Sequence, residues 1–259
     1  MKFVQKDLGD TAENSSGGGS KGMAREVLLL GSLTTATVTL IVFLSGVITD
    51  AAVTQISPEM EQAMFGSSFF AEFDSELSED LQERWNTAET IFEKLKTYEA
   101  VPDIDYTLLY HSEEMLNAFA IPGGGIALTD GLLRELDQDI ALAFVLAHEL
   151  GHFAGRDHLQ TMGRQLGIGI SLQILMGGTP DRLTESAVEL VQLNYSREQE
   201  RAADAFAIAC LNAVYGEHAG AEQLFELLDT QAQLPSWAYM FQTHPENAER
   251  IRRIREEGE

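Results

Sequence analysis

The chain has 259 residues, 44% hydrophobic and 22% charged, which suits one sizeable folded domain with an appendage and excludes collagen-like, wholly disordered and disulfide-scaffold classes. Seventeen Lys and Arg against 41 Asp and Glu leave a formal charge of -24, so no broad phosphate-neutralising surface exists and nucleic acid is excluded as a partner. The single cysteine, Cys210, forms no internal disulfide; stability must come from a core or a bound metal, and Cys210 itself reads as a small buried hydrophobe.

Residues 1–26 are polar, Gly/Ser-rich near their middle and balanced at four basic and four acidic side chains; they read as a disordered tail. Residues 27–48 follow without one charge. As a helix this run rises about 33 Å, enough to cross a bilayer, and it reads as one transmembrane helix in contact with membrane lipid. A cleaved signal sequence is the alternative, with Met23 as a start, Arg25 as a basic flank and Ala51 or Ala52 near the cut, and it would make the domain secreted; the apolar run exceeds the roughly 7 to 15 residues of such signals. Lys21 and Arg25 precede the run while Asp50 and Glu59 follow it. The positive-inside rule then keeps the amino terminus cytoplasmic and puts the acidic domain outside the cell membrane, in the periplasm of a Gram-negative cell.

Residues 49–77 show no sustained period and read as a juxtamembrane connector to a domain over residues 78–259. Ser78 is placed to cap a helix that carries Leu81, Trp85, Ala88, Ile91 or Phe92, and Leu95 on one face. Residues 106–110 and 126–129 read as short strands, with a third extended piece, Asn117, Ala118, Phe119, Ala120 and Ile121, before the turn at Pro122 to Gly125. Everything after Asp130 reads helical, giving an α+β domain that is mostly helix with a small β-sheet. The apolar stretch 167–177 is too short to span a bilayer and reads as a helix and loop packing over the cleft or touching the lipid surface.

One signal dominates the chain. His148-Glu149-Leu150-Gly151-His152 lies within a helical run over 139–155 whose preceding residues are apolar all round, so two histidines and a glutamate fall on a buried helix. Spacing of four puts His148 and His152 one turn apart on one face, where two imidazoles can hold one zinc ion, and Glu149 is rotated by about 100°, within reach of a metal-proximal water. Catalytic zinc takes a third protein ligand and leaves a fourth position open. His158, six residues past His152, lies off the ligand face, so a carboxylate must serve. Ser196 and Gln199 form a capping-box pattern that opens a helix, with Glu200 in its first turn and Asp204 one turn later on the same face. Glu200 is the candidate third ligand, and Asp204 the candidate acceptor for a histidine N–H.

Five blocks carry a resemblance: residues 117–124, Thr129-Asp130-Gly131-Leu132, His148 to His152, residues 196–204, and Thr243-His244-Pro245 with Arg250. In this order the chain resembles the HtpX-like and CAAX-prenyl-protease group of zinc metallopeptidases, over roughly residues 78–257. The resemblance implies a zincin-like fold and one Zn2+ per chain held by His148, His152 and Glu200, with Asp204 supporting them and Glu149 as general base. It implies that His244 steadies the developing oxyanion or regulates access and that Arg250 shapes the site; the same residues also read as the start of a last helix and as a surface ion pair. Protein or peptide substrates would bind extended along the edge of residues 117–121, as unfolded or loosened proteins can. Two other classes stand beside this one: a zinc-binding adaptor of membrane complexes, and a structural helical domain whose histidines only pack. An intact Glu149 argues against the first, and stoichiometric zinc would exclude the second. Substrate identity and oligomeric state are not encoded in any motif.

Overall fold

The computed structural model describes residues 20–73, 76–175, 195–216 and 252. Helix α1 runs Ser20–Val53, so it starts within the tail that reads as disordered and extends past the apolar run at both ends. Its stretch Met23–Val53 is long and apolar enough to cross a membrane, and Leu28, Leu33 and Phe43 are each at least 65% exposed, as a lipid-facing helix requires.

The connector is not structureless. Ser57 caps helix α2 (Pro58–Phe70) by accepting from Met60 N, with Pro58 at the first helical position, and a short 3-10 turn, Ala71–Phe73, follows. A second 3-10 turn at Glu79–Leu81 then leads into α3 (Gln82–Leu95), which buries Ala88, Ile91, Phe92 and Leu95, with Leu81 beside them. That is the face its apolar spacing marks.

Three strands form a mixed sheet in the order β1-β3-β2: β1 is Thr107–His111, β2 is Ala118–Ile121 and β3 is Gly125–Thr129. β3 runs parallel to β1 and antiparallel to β2, so β2 is an edge strand among the described residues. Side-chain alternation splits the sheet. Leu108, Tyr110, Ala118, Ala120, Ile126 and Leu128 enter the main core, whereas Leu109, Phe119, Ile121 and Ala127 meet Phe70 and Phe73 from the connector. The connector therefore covers one face of the sheet.

Thr129 caps the short helix α4 (Asp130–Glu135), and α5 (Asp139–Gly155) then passes through the centre of the domain, buried from Ala141 to Phe153. β2 and α3 both pack on α5. Arg156, at φ 56°, ends α5 in the left-handed region, and α6 (Asp157–Leu175) leaves in a new direction to run beside α1, with an ion pair between Arg164 and Asp50 at 2.7 Å. The final described helix, α7 (Arg197–Tyr215), opens with the complete Ser196 and Gln199 capping box and closes at Gly216. It lies against α5. Gly151 makes the crossing close: a Cβ there would stand 2.9 Å from Ala203 Cα. The architecture is mostly helical, with a small mixed sheet and one apolar amino-terminal helix.

Candidate metal centre

α5 contributes His148, Glu149 and His152, and α7 contributes Glu200 and Asp204; the close crossing at Gly151 and Ala203 brings these two distant stretches together. All five side chains are buried, although all five are polar in any protonation state and would be costly to bury alone. Their purpose is mutual. The ring nitrogens of His148 and His152 and a carboxylate oxygen of Glu200 lie within 4.8 Å of one another. The two Nε2 atoms are 3.1 Å apart, and each is 3.5 Å from a Glu200 oxygen.

The other imidazole nitrogens fix the tautomers. His148 Nδ1 stands 3.0 Å from Asp204 Oδ1, and His152 Nδ1 stands 2.9 Å from Asp157 Oδ2. A carboxylate accepts, so both Nδ1 atoms donate and both Nε2 atoms turn lone pairs towards the same small space. Two lone pairs and a carboxylate converging in a buried site repel one another unless a cation sits among them. That donor set fits zinc: two neutral imidazoles and one carboxylate, each with its orientation fixed from behind. Burial works against charging His152, yet the neighbouring carboxylates of Asp157 and Glu200 favour positive charge there and leave its pKa raised above the usual histidine value.

An aromatic wall completes the site. The Tyr195 ring stacks on His152 at 3.8 Å and 17°, and the Phe144 ring lies 6.2 Å from that of His148, inclined at 29°. Burial first, and then the charges of Glu149, Asp157 and Glu200, push the Tyr195 phenol well above its usual range, so it stays protonated. β2 runs beside α5 with its outer edge unpaired among the described strands, which sets Ala118 to Ile121 next to the metal helix. Asn117 N donates to Thr129 Oγ1 just before that strand.

Of the site residues read from the sequence, His148, Glu149, His152, Glu200 and Asp204 come together here, and Asn117 to Ile121 lie alongside. His244 and Arg250 fall outside the described residues. Asp157 and Tyr195 are site neighbours that sequence reasoning missed. Extrapolating the α5 helix carries position 157 away from His152; the left-handed turn at Arg156 brings it back, and only a glance at the Gly155-Arg156 break could have flagged it. Tyr195 precedes the cap of α7 and has no spacing relation to the histidines.

Comparison with known proteins agrees with this geometry. A family model described as peptidase family M48 matches residues 83–258, more than half of the chain. The mitochondrial metalloendopeptidase OMA1 of Arabidopsis thaliana is 28% identical over 151 residues, which cover 56% of this chain and 31% of that protein. A protease HtpX homolog of Acidiphilium cryptum is 37% identical over 113 residues, covering 34% of this chain and 39% of the relative. Metalloprotease LoiP of Escherichia coli is 30% identical over 150 residues, covering 54% and 58%. The chain thus spans between a third and somewhat over half the length of the relatives it matches.

Proposed function

The chain belongs to peptidase family M48 and is a metalloprotease of that family, and from this premise we propose that it is a membrane-anchored zinc endopeptidase that cuts extended or misfolded proteins at the envelope. The observation that carries the reading is the convergence of the two Nε2 atoms and the Glu200 carboxylate on one small space while Asp157 and Asp204 hold the opposite nitrogens. In it His148, His152 and Glu200 hold one zinc ion, with Asp204 and Asp157 orienting the imidazoles. When bound, zinc polarises the scissile carbonyl and acidifies water.

The chain's own residues do the rest. Glu149, next to His148 on the buried helix, takes the proton from the attacking water and passes it to the departing amine. Backbone groups of Asn117, Ala118, Phe119, Ala120 and Ile121 hold the substrate as an added strand, which recognises extended chain with little regard to sequence. His244 serves the developing oxyanion and Arg250 shapes the cleft. The fold is zincin-like, with the peptidase domain over residues 78–259.

Helix α1 supports the anchor, with membrane lipid around residues 27–48 and the connector 49–77 leading to the domain. The charge asymmetry of Lys21 and Arg25 against Asp50 and Glu59 supports a cytoplasmic amino terminus and an extracytoplasmic site, whereas loss of the amino-terminal segment in the mature protein would support secretion instead.

The test is direct. The full chain, purified in detergent, should bind one zinc ion and cleave unfolded casein, and Glu149→Gln should keep the zinc and lose the cleavage. Equal cleavage by both proteins rejects Glu149 as the base. Stoichiometric zinc with no cleavage by the native chain favours the adaptor reading.

A further inference from the structure

Glu61 is the one acidic residue of α2 that is buried, at 4% exposure, and it lies outside the segment that matches the peptidase family. Its carboxylate gathers donors from two separate elements that frame the site. Glu61 Oε1 accepts from Gly123 N at 3.0 Å and is 2.8 Å from His158 Nε2; Oε2 is 3.5 Å from Arg156 Nη2. Arg156 also donates through Nη1 to Ile56 O, just before the cap of α2. Gly123 belongs to the turn between β2 and β3, where it and Gly124 both sit near φ 95°, with φ 94 and 95. Arg156 and His158 belong to the junction where α5 ends, and His158 Nδ1 is 3.4 Å from His152 O. One carboxylate thus joins the end of the edge strand to the end of the metal helix.

A buried charge is tolerated only when well paired, and here the pairing does more than offset desolvation. In the peptidase reading an extended substrate lies along the outer edge of β2, which packs on α5, so the height of β2 relative to His152 sets where the scissile carbonyl falls. Gln62, the next residue of α2, donates to Asp105 O at 3.0 Å, and Phe70 and Phe73 close over the sheet, so α2 is braced at both ends of this contact. We propose that Glu61 is a positioning residue of the peptidase: from the juxtamembrane helix it sets the spacing between substrate strand β2 and the end of the metal helix. The catalytic unit accordingly begins at α2 rather than at residue 78. The inference rests on the peptidase reading.

Two measurements on the full chain in detergent separate its failure from failure of that reading. In the first, Glu61→Gln lowers kcat/KM for an extended peptide about tenfold, chiefly through KM, with zinc content unchanged; Glu59→Gln, an exposed neighbour, leaves both constants alone. In the second, which needs no activity, amide hydrogen exchange accelerates in Glu61→Gln at both residues 118–125 and 152–158. Unchanged KM in a folded Glu61→Gln protein overturns the proposal, as does exchange that stays slow in either segment. A fall in melting temperature without a KM change assigns Glu61 a purely structural role and also overturns it. If the native chain cleaves nothing, the peptidase reading fails by itself, and the exchange result still decides whether Glu61 ties the two segments.

Discussion

Asp157 Oδ2 lies 2.9 Å from His152 Nδ1, and it reaches that place because Arg156 takes φ 56° and turns the chain back on the end of α5. Asp204 does the same for His148 from α7, at 3.0 Å. Each histidine of the pair therefore has its own carboxylate, from a different element. Replacing Asp157 by Ala frees the His152 tautomer and strands a buried N–H. Zinc affinity should fall about 10- to 100-fold, measured by competition with a chromogenic chelator, with the far-ultraviolet circular dichroism unchanged. Asp157→Asn, which retains an acceptor but not the charge, should fall between. Native affinity in both variants would remove Asp157 from the site.

The sequence made the metal helix and α7 legible because their signals are local. A buried apolar run with two histidines at helical spacing needs no partner to be read, and the Ser196 and Gln199 pair marks a helix start by its own hydrogen bonds. The three extended pieces were readable from turns and β-branched residues, but nothing local tells that β3 pairs with β1 in parallel and with β2 in antiparallel. Helix α2 escaped for a sharper reason. Among its described side chains the buried one is Glu61, so apolar periodicity does not mark its inward face, and Met60 and Met64 are at least half exposed. Asp157 escaped because helical spacing stops being a guide where the helix does.

Thr129 joins the candidate substrate strand to the core by one hydroxyl. Its Oγ1 accepts from Asn117 N at 2.9 Å, donates to Asn117 O at 2.8 Å and accepts from Leu132 N at 3.3 Å as the cap of α4. Valine has the same shape and none of these bonds, and it leaves a buried Asn117 N–H without its acceptor. Thr129→Val should cost about 2 kcal/mol or more in urea unfolding. Thr129→Ser, which keeps the oxygen, should recover most of it. Equal loss in both would mean that packing by the methyl group matters as much as the hydroxyl.

Cys210 is fully buried in α7, and burial pushes its thiol pKa up to about 12. The thiolate is the reactive form, so at pH 8 almost none is present and reagent has no path to the sulfur. The native protein should take up no label from a soluble disulfide reagent over minutes, and one equivalent should react once the chain is unfolded in guanidinium, since the chain has a single cysteine. Rapid labelling of the folded protein would contradict the burial of Cys210 in the core beside Leu95 of α3.

Gly151 sets the distance between the two halves of the metal centre. A Cβ there would lie 2.9 Å from Ala203 Cα, 3.1 Å from Ala203 O and 3.2 Å from Phe206 Cβ, and the first two are backbone atoms that cannot swing aside. Alanine in place of glycine favours the isolated helix by about 1 kcal/mol, whereas forcing packed helices apart costs about 1 to 3 kcal/mol, so the two effects oppose and stability alone discriminates poorly. Zinc discriminates better. Ala203 follows Glu200 by three residues, and Gly151 adjoins His152, so any widening of this crossing draws the carboxylate away from both imidazoles. Gly151→Ala should therefore lose most of the stabilisation that zinc gives the native chain, read as the difference in melting temperature with zinc and with a chelator. A variant that keeps the full zinc-dependent shift would show that Glu200 does not depend on this close approach.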